Sequence, residues 1–384
     1  MRGWDTEVLA TARPPARTSF IYIGEFTLTI YDKPFKTYNE QIELLKSRGL
    51  IVEDYGFAYH ALSTLSYYDL ITRYQRYFMP DGKQFIDNIT IELLYKFSLF
   101  DRSVQAFILK YSLLIENIVK TKLSHIMAKD FGVNEAAYLS ASKYRESFKL
   151  PNENESLKFS SIAFECKKAI IDPKIARDPT LYYHRKHNHI PPWILLKNLS
   201  FNNTISLIKL LRNKQRNRII NELVPFPQVR LRDKTNFVFC SLGAIRLFHD
   251  FAACNLDFTT LYTYEINHLS PTILSKLLED RYLIKSENDR IPLTEKAFSR
   301  GLYGVMLSML VYLKGSHLVG EFITDFLYLF KDFNDSDSAD KERLFKYYSD
   351  IANMPADTPM RLQSYLSQYK QANNDSQVLP LKRI

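Results

Sequence analysis

The 384-residue chain is 46% hydrophobic and 24% charged, a balance that excludes wholesale disorder and allows a buried core in one large or two smaller folded units. Its 51 Lys and Arg against 42 Asp and Glu give a net charge of +9, which favours polyanionic partners such as nucleic acid. Cys166, Cys240 and Cys254 stand far apart with no CxxC pair, which argues against a disulfide framework or a zinc site and fits a reducing, cytoplasmic setting.

Residues 1–30 read as an N-terminal extension or short strand, since Arg2, Arg13 and Arg17 precede an apolar stretch that Glu25 interrupts, a poor signal peptide. Lys33-Pro34-Phe35-Lys36-Thr37-Tyr38 opens the first helix, with Thr37 as N-cap, Glu40 three residues on, and Gly49 as its end. A second helix is expected over Tyr55 to Tyr68, then an aromatic segment to Phe78 and a turn at Pro80-Asp81-Gly82. Thr90 to Lys129 carries the strongest helical period, with Phe97, Phe100, Val104, Phe107, Ile108, Tyr111, Ile115, Val119 and Leu123 at spacings of three and four. Its Lys96, Arg102, Lys110, Lys120, Lys122 and Lys129 read as a solvated face.

From Gly132 to Arg185 the pattern loosens into a connecting region with one helix near Ser161 to Ile171 and a loop bounded by Pro173 and Pro179. Pro191-Pro192-Trp193 starts a fresh helix. Helices are expected at Trp193 to Leu199, Asn203 to Leu211, Arg216 to Leu223, Lys234 to Ala253, Ser270 to Asp280 and Thr294 to Tyr312. The most apolar run, Leu302 to Leu313, is broken by Gly304 and Ser308 and falls short of the roughly 18 to 20 residues that cross a bilayer. Asp332 to Asp340 breaks the pattern, Lys341 to Ile351 forms a further helix, and a polar tail follows. The expected fold is mainly α, with little or no sheet; 11 glycines and no Gly-rich phosphate loop argue against a Rossmann-type sheet.

Three blocks carry a family resemblance: Lys33-Pro34-Phe35 with Ile42 through Val52 and Leu65-Ser66-Tyr67-Tyr68-Asp69-Leu70-Ile71; Leu94 through Arg102 with Lys110 through Asn117; and Pro191-Pro192-Trp193 through Phe201. In order and spacing they resemble the Abi family of bacterial abortive-infection proteins, of the AbiD/AbiF type, over roughly Tyr31 to Phe258. The resemblance implies a phage-defence protein with a multi-helix HEPN-like architecture that acts on or binds RNA, works without cofactor or metal, and can pair as a homodimer; the short apolar runs imply no membrane partner. It divides the chain into a helical region over 31–185, a HEPN-like region over 186–331 and a linker, helix and tail over 332–384.

HEPN ribonucleases are expected to place Arg and His on one helix, because imidazole moves protons at neutral pH and guanidinium stabilises charge on a phosphorane. The matching segment is Ile245 through Phe258, in which His249, Asp250 and Cys254 stand where Arg, Asn and His are expected. Arg246, three residues before His249 on the same face, restores an Arg/His pair in shifted register. The candidate catalytic residues are therefore Arg246, His249, Cys254 and Asn255; the alternative makes Arg246 a surface residue, His249 a packed one, and the protein an inert RNA- or protein-binding component.

Arg212, Lys214, Arg216 and Arg218 form the densest basic run, interleaved with Asn213, Gln215 and Asn217, and with Arg185 and Lys186 are the candidate RNA-backbone contacts. His184, His187 and His189 read as part of a basic loop rather than a metal site. The Arg177 to His184 spacing reads as chance across Pro179, and Tyr67, Tyr68, Tyr74 and Tyr77 as core aromatics rather than a stacking platform.

Overall fold

The computed structural model describes residues 20–23, 26–29, 33–149, 156–172, 174, 176–257, 259, 261, 269–280, 282–286, 290–315, 317–329 and 338–377. The chain divides into two compact units, Met1–Leu94 and Tyr95–Ile384. Most of the N-terminal extension and residues 332–337 of the acidic break lie outside the described residues.

In the first unit, β1 (Phe20–Ile23) and β2 (Phe26–Thr29) form an antiparallel hairpin with Phe20 opposite Thr29. The expected capping box starts α1 (Tyr38–Ser47): Thr37 N–H donates to Glu40 Oε2 at 2.7 Å and Glu40 N–H to Thr37 Oγ1 at 3.3 Å. Gly49, at φ 86°, ends the helix in the left-handed conformation that glycine adopts without strain. Asp54 caps α2 (Tyr55–Leu70), and a 3-10 turn at Thr72–Tyr74 leads to α3 (Gln75–Phe78). Ile42, Leu45, Ala58, Ala61, Leu65, Tyr74 and Phe78 are buried here, so Tyr74 is the core aromatic expected of it, whereas Tyr67 and Tyr77 are half-buried and Tyr68 is exposed, against the expectation.

The second unit is built on α4 (Ile91–Phe131), a helix of 41 residues. Its stripe from Phe97 to Met127 is buried, as the three-and-four spacing requires. Short pieces follow: α5 (Glu135–Tyr138), a 3-10 turn at Ala141–Lys143, and an antiparallel pair β3 (Ser147–Phe148) and β4 (Leu157–Lys158). Next come α6 (Phe159–Ile171), α7 (Thr180–Lys186), α8 (Pro192–Asn198), α9 (Phe201–Leu210), α10 (Asn213–Leu223) and α11 (Leu231–Ala253). The basic loop expected at His184 to His189 is in part α7, whose last turn carries His184, Arg185 and Lys186.

The remaining helices are α12 (Pro271–Leu278), α13 (Leu293–Phe298), α14 (Leu302–Leu313), α15 (Leu318–Tyr328), α16 (Ser338–Ala352) and α17 (Thr358–Gln377). Two expectations need correction. The single helix over Thr294 to Tyr312 is two, α13 and α14, parted at Ser299–Gly301. The polar tail is largely the helix α17, which docks by burying Leu362 and Tyr365 and pairing Arg361. Every residue of α14 is buried, which is where the most apolar run of the sequence goes. Among the described residues no helix is long and apolar enough to cross a membrane.

Phe107 and Tyr111 of α4 meet Phe322 of α15 with ring centroids 4.8 and 4.7 Å apart, and the Tyr111 hydroxyl donates to Asp325 Oδ2 at 2.7 Å. Phe100 meets Tyr348 of α16 edge-on at 4.8 Å, and the Tyr348 hydroxyl donates to Asp101 Oδ1 at 3.2 Å. The fold is mainly α, with only two-stranded hairpins among the described residues.

Candidate nucleic-acid interface

α10 begins at the edge of a groove of about 1070 Å³ lined by Tyr144, Lys158, Phe159, Phe164, Lys167 and Arg212. The chain opposite α10 is held in place by its backbone and two tyrosines. Arg145 N–H donates to Leu210 O at 2.8 Å and Phe159 N–H to Glu146 O at 2.9 Å. The Tyr144 ring stacks on Phe159 at 4.3 Å, its hydroxyl donates to Tyr138 O at 2.8 Å, and the Tyr138 hydroxyl to Ile190 O at 2.7 Å. Burial pushes both tyrosine hydroxyls well above their ordinary pKa, so they stay neutral donors.

That scaffold brings Arg145 beside the start of α10. Arg145 and Arg216 both donate to Asn213 Oδ1, Arg216 at 2.9 Å, and the Arg216 guanidinium lies 5.9 Å from the Phe148 ring centre. Arg212, the N-cap, donates from Nε to Ser142 O at 2.7 Å. Among the described residues no carboxylate pairs with Arg145, Arg212, Lys214 or Arg216, and Arg216 Nε is buried without an acceptor. Burial, with Arg145 close by, pulls the Arg216 guanidinium below its ordinary pKa, which is what an uncompensated cation pair produces. Arg218 differs: it donates to Asp130 Oδ1 and Glu222 Oε1, both at 3.1 Å, and its charge is balanced inside the fold. Lys214 is exposed, as are Arg185 and Lys186 on α7, where Arg185 Nε donates to Leu181 O at 3.2 Å.

The run from Arg212 to Arg218 thus contributes Arg212, Lys214 and Arg216 to an unpaired basic face and Arg218 to an internal ion pair. Sequence reasoning missed Arg145, Lys158 and Lys167, which lie in or beside the loosened region. A basic residue there has no periodic neighbour to mark it, and its approach to α10 comes from the Tyr144 to Leu211 β-bridge.

On α11, Arg246 and His249 do come together, through the residue between them and the helix end. Arg246 Nη1 donates to Asp250 Oδ2 at 2.7 Å and His249 Nδ1 lies 3.1 Å from Asp250 Oδ1. The side chains are 31%, 20% and 50% exposed for Arg246, His249 and Asp250, so the cluster faces neither the core nor a closed cleft. Cys254 is exposed at the helix C-cap, and Asn255 turns the chain away at φ 51°, a left-handed conformation that asparagine tolerates. Phe258 lies outside the described residues.

The histidines of α7 and the loop after it are engaged locally: His184 Nε2 lies 2.5 Å from Ile170 O, His187 packs on Tyr183 at 4.5 Å, and His189 Nδ1 meets Asn188 Oδ1 at 2.8 Å. Among the described residues no group of His, Cys, Asp and Glu is arranged to hold a metal ion.

Comparison with curated proteins and with solved structures gave no match. The family model described as Abi-like protein matches residues 60–248, a span that holds α4, the groove and all of α10 and stops one residue before His249. Over that span the chain is an Abi-like protein, and the match supports a bacterial abortive-infection, phage-defence role.

Proposed function

We propose that this Abi-like protein acts in the bacterial cytoplasm by binding RNA through the groove at the start of α10, without cleaving it. The observation that supports this reading is the pair of guanidinium groups, Arg145 and Arg216, converging on Asn213 with no carboxylate paired to them among the described residues. Two like charges held together cost energy that a phosphate between them recovers, and two planar forks suit phosphate oxygens better than point charges do. Arg212, Lys214, Lys158 and Lys167 extend the positive face along the groove, with Arg185 and Lys186 as outlying contacts. Contacts of this kind grip the backbone and carry little base specificity.

The test is a mobility-shift titration of the full chain with a single-stranded oligoribonucleotide at several salt concentrations. Arg145→Gln and Arg216→Gln each weaken binding about tenfold at low salt and flatten the log–log salt slope by about 0.7 per lost phosphate contact. Absence of binding at low ionic strength, or wild-type slopes in both variants, sinks the reading.

A second reading, metal-independent ribonuclease activity at Arg246 and His249, is favoured by their shared carboxylate. With its Nδ1 hydrogen on Asp250, His249 offers Nε2 as a general base, the role that a carboxylate-oriented imidazole serves elsewhere. Against it, Asp250 spends the Arg246 charge and repels phosphate, and Cys254 puts a thiol where the motif uses an imidazole to carry the proton. On this reading a second copy of the chain completes the site as a homodimer, and Cys254 and Asn255 border it. RNA cleavage in EDTA that His249→Ala abolishes establishes it; intact RNA with wild-type protein removes it.

A further inference from the structure

The first unit holds a second cavity, about 740 Å³, between the start of α1 and the last turns of α2, within the size range of small-molecule sites. Its walls include the rings of Phe35, Tyr38 and Tyr59, and these are 87%, 38% and 47% exposed. Tyr38 and Tyr59 meet edge to face at 5.2 Å, which fixes both rings at the rim. Three rings left open side by side at the mouth of one cavity make a surface suited to something flat.

The floor of the cavity is a broken helix. Ser66, inside α2, has φ 62° and ψ 155°, a conformation rare for any residue with a side chain. Ser66 restarts the helix by capping it: Asp69 N–H donates to Ser66 Oγ at 3.2 Å. In the turn before the break Ser63 Oγ donates to His60 O at 2.9 Å, which leaves the lone pairs of that hydroxyl to accept. Hydroxyls of Ser63, Thr64 and Ser66 line the same wall. Gln41, also lining it, donates its amide to Lys36 O at 2.9 Å and leaves its Oε1 without a donor. Asp69 is already paired with Arg73 at 2.6 Å, so the lining is neutral, aromatic and rich in acceptors.

We infer that this cavity is a nucleobase site, in which an aromatic face carries the planar ring and the acceptors of the broken turn take its amino and imino hydrogens. Stacking on Tyr or Phe with hydrogen bonds to the base edge is how unpaired bases are held. The lining offers a ligand little net charge, because its one cation, Lys36, has the Glu40 carboxylate close by, and an aliphatic ligand is disfavoured because hydroxyls and amides stand among the rings. The base comes from a free nucleotide or from an unpaired position in an RNA strand. The site shares no residue with the α10 groove and stands or falls apart from it.

The test uses the full chain in equilibrium dialysis against adenosine, guanosine, cytidine and uridine monophosphates, with ultraviolet cross-linking of a mixed-sequence oligoribonucleotide in parallel. Saturable binding of a mononucleotide, weakened about tenfold or more by Tyr59→Ala and by Ser63→Leu, identifies a free-nucleotide site. Cross-links at Tyr38 or Tyr59 without mononucleotide binding identify an RNA base as the occupant. Both substituted side chains are exposed, and far-UV circular dichroism checks that each variant folds. Neither dialysis binding nor cross-linking at these tyrosines, or binding that both variants leave unchanged, overturns the inference; Arg145→Gln leaves it unaltered.

Discussion

At Gly304 a Cβ would stand 2.0 Å from the carbonyl oxygen of Ser299, inside a helix whose every residue is buried. The backbone between α13 and α14 has no flexible side chain to give way there, so Gly304→Ala forces the two helices apart. A destabilisation of about 1 to 3 kcal/mol is expected, as for other overpacked cores, read as a lowered urea midpoint at unchanged slope. Ser66 makes the opposite case. Glycine adopts its φ of 62° and ψ of 155° at little cost, while loss of the Ser66 cap to glycine costs only a few tenths of a kcal/mol. Ser66→Gly therefore stabilises the protein by about 1 kcal/mol, seen as a higher Tm. A lowered Tm would mean that the kink carries no strain. Neither position is legible as such in the sequence: Gly304 reads as an interruption of an apolar run, and Ser66 lies in a segment whose apolar spacing predicts one continuous helix.

Among the elements, α4 is the one that the sequence specifies most directly, because thirty residues of three-and-four spacing leave no other period to fit. α17 was hidden for the converse reason. Leu362 and Tyr365 are its few buried anchors, and its attachment is ionic: Arg361 Nη1 and Nη2 donate to both oxygens of Glu295 at 2.8 and 2.7 Å, and Nε to Asp357 at 2.7 Å. Arg361 and Glu295 side chains are 6% and 7% exposed. Glu295→Ala removes the bidentate carboxylate and leaves Arg361 with only Asp357 on Nε and the Leu283 carbonyl on Nη1, so it costs about 1 to 3 kcal/mol. Glu295→Leu combined with Arg361→Met recovers part of that loss, because two apolar groups need no counter-ion. A double variant as unstable as Glu295→Ala would show that shape, and not charge, holds α17 in place. The candidate interface was legible to the same partial degree. The basic density of Arg212 to Arg218 stands out in one dimension, but that Arg218 is neutralised depends on Asp130, 88 residues earlier in the chain. The partner of Arg216, Arg145, is likewise brought there by a β-bridge that no local pattern encodes.

For the molecule as a whole, the net charge of +9 is carried unevenly between cations that face a groove unpaired and cations that tie helices together. The second kind makes stability depend on pH. Burial raises the Asp325 carboxyl, but hydrogen bonds from Lys110 and Tyr111 outweigh it and hold the group below the ordinary carboxylate range. Asp357 behaves alike: burial raises it, and Lys285 and Arg361 together bring it lower. A depressed folded-state pKa contributes stability that is full above the unfolded value, near 3.9, and disappears as pH falls through the folded one. Between neutral pH and about pH 5 these two groups leave stability flat; below about pH 4 both helices they secure, α15 and α17, loosen as the carboxylates take up protons. Asp325→Asn keeps a hydrogen-bonding oxygen but never ionises, so its urea midpoint is lower than wild type at pH 7 and approaches wild type at pH 3. Parallel midpoints for the two proteins across that range would place the acid sensitivity elsewhere in the chain and leave the Lys110–Asp325 contact as a surface pair of no consequence.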